Sequence, residues 1–159
     1  MSDWDFAVET DDFPSVARDL PRLVDAFQPI ARQWDPLSDR YAYMLMLHGP
    51  IKVDLNFREP HAPAGPWAVT AGTLPDLDAH FWDWTLWLTS KQASGQVDLI
   101  ARELVKMWEY LLRPLGVGRV PQTIKEATVE YRAAREVWEG RLGVAAPRDL
   151  EREVLPLVR

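Results

Sequence analysis

Ser2-Asp3-Trp4-Asp5-Phe6-Ala7-Val8 has the pattern of a β-strand. Acidic and apolar residues alternate through it, and side chains alternate across a β-strand. Asp3 and Asp5 therefore share one face, and Trp4, Phe6 and Val8 share the other. Acids paired on a strand are costly unless they are solvated or a cation neutralises them. A solvated terminus is the ordinary explanation. Mg²⁺ is the sharper one, because it takes hard oxygen ligands and usually shares them with substrate phosphates.

Working outward, the same alternation returns at Ile51-Lys52-Val53-Asp54-Leu55-Asn56-Phe57. Ile51, Val53, Leu55 and Phe57 fall on one face, and Lys52, Asp54 and Asn56 on the other. The apolar run over 41–47 precedes it, and His48-Gly49-Pro50 between them is a tight turn, so the two runs form an antiparallel hairpin. Between the first strand and the hairpin, Asp11-Asp12-Phe13-Pro14 opens a helix with acidic caps and a first-turn proline. Val16, Leu20, Leu23, Val24 and Phe27 keep helical spacing, Pro21 should kink or divide the helix, and Gln28-Pro29 ends it.

Residues 59–67 hold three prolines and a glycine and form a loop. Helical periodicity follows. A helix over about 76–94 is apolar nearly all round, through Leu77, Phe81, Trp82, Trp84, Leu86, Trp87 and Leu88, and Gly95 caps it. A second, over about 97–115, carries Val97, Ile100, Leu104, Met107, Trp108, Leu111 and Leu115 as one stripe. A third runs over about 123–142, and a short one follows Pro147. The expected class is α+β: a truncated mixed sheet of about three strands in residues 1–72, then a helical bundle in residues 73–159. The sheet looks as if it begins in mid-domain, which would leave Trp4, Phe6 or Val8 under-covered and favour a homodimer.

Composition narrows the function. Of 159 residues, 47% are hydrophobic and 26% charged, as in a globular protein. With no cysteine there is no thiol nucleophile or thiolate metal site, and a cytoplasmic location fits. A net charge of −6 gives no general basic field for nucleic acid, and no apolar run reaches membrane-spanning length. His48, His61 and His80 are too scattered for metal-ligand spacing. Asp76 and Asp78 read as ordinary caps of the buried helix, and Glu103, Glu109, Glu126 and Glu139 lie on polar helix faces.

The acidic strand, with Asp54 arriving roughly 50 residues later on a second strand, resembles the signature of the DNA polymerase β-like nucleotidyltransferase superfamily. Phe81-Trp82, Lys91, Gly95 and the stretch 99–115 are similar to the helical domain of small bacterial relatives, the aminoglycoside and lincosamide adenylyltransferases. The resemblance covers nearly the whole chain. It implies transfer of a nucleoside monophosphate from a nucleoside triphosphate, usually ATP, to a hydroxyl-bearing small molecule, with two Mg²⁺ ions. By position, Asp3, Asp5 and Asp54 would be catalytic metal ligands, and Asp54 would also help deprotonate the acceptor hydroxyl. Lys91 would contact the triphosphate, and an exposed helix lysine is its bland alternative. The family pattern also has a glycine-serine turn about 10 residues before the acids, opening a helix that grips phosphate. Those residues are absent here, so impaired catalysis is expected. The alternative is a non-catalytic relative, an interaction protein or antitoxin-type regulator.

Overall fold

The computed structural model describes residues 2–159, with side chains from Trp4 onward. It divides into two compact units, Met1–Ala64 and Gly65–Arg159.

The first unit is a mixed sheet of four strands, β1 (Ser2–Val8), β2 (Ala31–Trp34), β3 (Arg40–Leu47) and β4 (Ile51–Pro60), in the order β1-β4-β3-β2. β3 and β4 form the expected antiparallel hairpin, closed at Gly49 with φ of +107°, a conformation that glycine adopts without a Cβ clash. β1 pairs with β4 in parallel, which a helical crossover permits. The chain leaves β1 through α1 (Phe13–Leu23) and passes through β2 and β3 before β4; the Asp12 cap of α1 accepts a hydrogen bond from the Ser15 N–H at 3.2 Å. Pro21 does not divide α1, and the coil instead tightens to a 3₁₀ turn at Val24–Phe27.

β2 makes the sheet four-stranded where three were expected. Ala-Arg-Gln-Trp is short, lacks apolar alternation and sits at an edge, so only its pairing with residues 43–46 of β3 marks it as a strand. Leu20 and Val24 pack against Tyr43, Leu45 and Phe57, with Phe13, Trp34 and Tyr41 sealing the rim. Val53, Leu55 and Phe57 therefore face α1, and the paired positions Trp4, Phe6 and Val8 share their side of the sheet. At the β1 edge Trp4 and Phe6 remain 55% and 48% exposed, their rings stacked at 6.4 Å.

The second unit is helical. α2 (Leu74–Ala93) packs against α3 (Val97–Met107), α4 (Ile124–Leu142) and α5 (Asp149–Val154). Leu74, Leu77, Phe81, Trp82 and Leu88 of α2 are fully buried, and the Phe81 ring stacks on Tyr131 of α4 at 3.7 Å. The expected single helix over 97–115 changes winding instead: Trp108–Leu112 is a π-helix, with the Arg113 N–H donating to the Trp108 carbonyl at 2.7 Å. Among the described residues, no helix is long and apolar enough to cross a membrane.

α4 has strong stops at both ends. The Thr123 hydroxyl accepts from the Glu126 N–H at 3.0 Å, and Glu126 reaches back to the Gln122 N–H at 2.7 Å. At the other end Gly143 turns left-handed at φ of +66°, with nothing within 4 Å of where a Cβ would stand. Gly143→Ala should thus lower stability by about 1 kcal/mol through backbone strain alone, and Gly143→Asn by less. Urea unfolding of the two variants checks this. Equal losses would show that the strain is not conformational.

Candidate functional site

The parallel β1–β4 pair sets Asp5 directly beside Asp54, and position 3 beside Lys52. Neighbouring strands lie about 4.8 Å apart, so these four positions form a compact block on one phase of the sheet. The side chain of Asp3 lies outside the described residues. Like charges directly opposite each other destabilise a sheet. Lys52 answers that charge: its Nζ donates to the Asp54 carboxylate at 3.0 Å. Lys52 is 8% exposed, its stem buried with the sheet, and the Asp54 side chain is 17% exposed. Asp5 is exposed.

Asp54 thus stands in register with Asp5, and the residue that the sequence reading passed over is Lys52. Its signal was present, because a lysine two residues before an acid on one strand shares that acid's face. Among the described residues, no group of three His, Asp or Glu could hold a metal. Asp5 and Asp54 are nonetheless hard oxygen donors, and Mg²⁺ is commonly held by one or two carboxylates with phosphates completing its shell. The donor set fits such an ion, with Lys52 as the cation it must share Asp54 with.

Lys91 belongs to the second unit, in the last turn of α2, where its ammonium lies 5.0 Å from the centre of the Trp87 ring. The histidines do different things. His61 Nδ1 lies 2.9 Å from the Ser38 carbonyl oxygen, and His80 is buried between Trp67 and Trp84.

Asp78 overturns its reading as a helix cap. It is buried inside α2 and accepts from the Tyr131 hydroxyl at 2.6 Å and from Arg135 Nη1 at 2.8 Å. Burial pushes its carboxyl above the ordinary value, against the lowering effect of Tyr131 and Arg135. Arg135 also lies 2.6 Å from Glu151 of α5, a close ion pair rather than an aligned hydrogen bond. Arg132 approaches the other Glu151 oxygen at 2.8 Å.

Glu139, expected on a polar face, is tied down too, accepting from Arg148 at 2.6 Å and from the Ala146 N–H at 2.8 Å. Burial raises its carboxyl, but these bonds and the Arg148 and Arg135 charges outweigh it and hold the group below its ordinary value. An open cavity of about 620 Å³ is lined by Arg132, Arg135, Arg148 and Arg152 together with Glu136 and Glu151. Each of those guanidinium groups is already paired with a carboxylate, so the cluster ties α2, α4 and α5 together.

No family model matches the chain, and no curated protein matches it. Among solved structures it is similar to the crystal structure of an aminoglycoside 6-adenyltransferase from Bacillus subtilis. The two are 13% identical over 98% of this chain and 87% of that one, with a TM-score of 0.41.

Proposed function

We propose that this chain is a Mg²⁺-dependent nucleotidyltransferase, moving a nucleoside monophosphate from a nucleoside triphosphate, with ATP the first to test, to a hydroxyl-bearing small molecule. The observation that carries the reading is the parallel register that sets Asp5 beside Asp54. Asp5 and Asp54, with Asp3, would hold the metal. When bound, Mg²⁺ supplies charge neutralisation for the triphosphate and the departing pyrophosphate. The carboxylate of Asp54 takes the proton of the acceptor hydroxyl, whose oxygen bonds to the α-phosphorus as the bond to pyrophosphate breaks. Asp5 orients the phosphates from the neighbouring strand. Lys91 is a candidate triphosphate contact by its sequence position alone, and its ammonium packs on the Trp87 ring.

The test is release of pyrophosphate from ATP and Mg²⁺ with a panel of hydroxyl compounds, amino sugars included. Turnover that needs both Mg²⁺ and an acceptor supports the reading. ATP binding that ignores Mg²⁺ refutes it.

A second reading has its own observation. The Lys52–Asp54 ion pair neutralises part of the acidic block without metal, as a non-catalytic, antitoxin-type regulatory protein of this kind would need. In that case Asp54→Asn leaves partner binding intact, although it destabilises the sheet by taking from the mostly buried Lys52 ammonium the carboxylate it is paired with.

A further inference from the structure

We propose that Lys52 is a resident counter-cation, which pairs with Asp54 while the site is metal-free and passes to a phosphate when a metal-bound nucleotide enters. The proposal rests on the metal-site reading of Asp5 and Asp54. Lys52 Nζ is 3.0 Å from the Asp54 carboxylate, and both side chains are largely withdrawn from water, at 10% and 17% exposure. An ion pair in such surroundings is much less screened than one on the surface. A divalent cation arriving alone must displace Lys52 from Asp54, and it then leaves a mostly buried ammonium beside a dication. A triphosphate removes that conflict, because its oxygens accept from the ammonium while the ion takes Asp54.

The register makes the exchange short. Lys52 and Asp54 are two residues apart on β4, and Asp5 lies one strand spacing, about 4.8 Å, from Asp54. A phosphate bound to an ion on Asp5 and Asp54 therefore lies within reach of the lysine's four-carbon stem. Metal and nucleotide should consequently bind cooperatively, with Lys52 as the positioning residue that couples them.

Mn²⁺ serves as the probe, since its free signal in electron paramagnetic resonance reports binding without turnover. The full chain is titrated with Mn²⁺, with and without a non-hydrolysable ATP analogue, as wild type and as Lys52→Met, Lys52→Gln, Lys52→Arg and Asp54→Asn. Circular dichroism checks that each variant is folded. In wild type the analogue should tighten Mn²⁺ binding by about tenfold or more, a coupling of ordinary size between two sites. Lys52→Met and Lys52→Gln should bind Mn²⁺ alone about tenfold more tightly than wild type and lose most of that coupling. Lys52→Arg should behave as wild type. Unchanged Mn²⁺ affinity and unchanged coupling in both neutral variants would overturn the role of Lys52 and leave the metal site standing. Binding that Asp54→Asn does not alter would overturn the metal site itself.

Discussion

Replacing Arg135 by leucine is expected to destabilise the helical unit by about 3–5 kcal/mol. The size follows from what remains. The Arg135 side chain is 2% exposed, and it is paired with Asp78 and Glu151, whose side chains are 2% and 8% exposed. Removing the guanidinium leaves the Asp78 carboxylate buried without its cation and takes one of its arginines from Glu151, which keeps Arg132; a buried charge without its partner is much costlier than the pair was favourable. For a unit of this size the midpoint of thermal unfolding should fall by more than about 10 °C.

The loss should also depend on pH, with a definite sign. Burial already holds the Asp78 carboxyl above its ordinary value, and Arg135 is one of the groups pulling it back down. Without Arg135 the folded-state value rises further, so the folded variant binds a proton that the unfolded chain has released. Stability of the variant is then greatest in acid and is lost as pH rises from the unfolded value of Asp78 through the raised folded one. The gap between wild type and Arg135→Leu should therefore be smaller near pH 4 than near pH 7.5, as chemical unfolding at the two values would show. A gap that is the same at both would mean that Asp78 stays ionised in the variant. Replacing Arg135, Asp78 and Glu151 together by apolar residues should recover much of the loss, because no buried charge is then orphaned.

The second large effect is on binding. Asp54→Asn keeps the size of the side chain and removes its charge, so the β4 strand should persist. Losing even a group that supports a metal ligand commonly costs 10–100-fold in metal affinity or activity, and loss of a ligand itself should cost about 100-fold or more. Asp5→Asn should match it. Glu9→Gln, at the end of the same edge and paired with Arg58, should leave binding as it is. If all three variants behave alike, the acidic block has no special role.

Much of this architecture was legible in the residues. Period-two alternation at 2–8 and 51–57 marked two strands, and the His48-Gly49-Pro50 turn marked their hairpin partner, because each pattern is local. β2 was not legible: four residues without alternation become a strand only by pairing along the edge of β3. The register that brings Asp5 beside Asp54 was an inference from face and order, and it depends on a parallel pairing that no local pattern reveals. Two residue types misled in the same way. Asp78 and Glu139 look like ordinary helix-surface acids in sequence, yet the packing of α2 against α4 and α5 buries one and ties down the other. Lys52 shows the converse, a charge on a polar strand face that the fold uses to answer its neighbours.

Calorimetric titration of the full chain with ATP, in the presence and absence of Mg²⁺, tests whether Asp5 and Asp54 hold a metal-bound nucleotide. Saturable binding that requires Mg²⁺, and that both Asp5→Asn and Asp54→Asn weaken by about 100-fold, is the result that follows from Asp5 and Asp54 as metal ligands. Binding of ATP that is indifferent to Mg²⁺ and to both substitutions, or no binding by the folded wild-type chain, would contradict it.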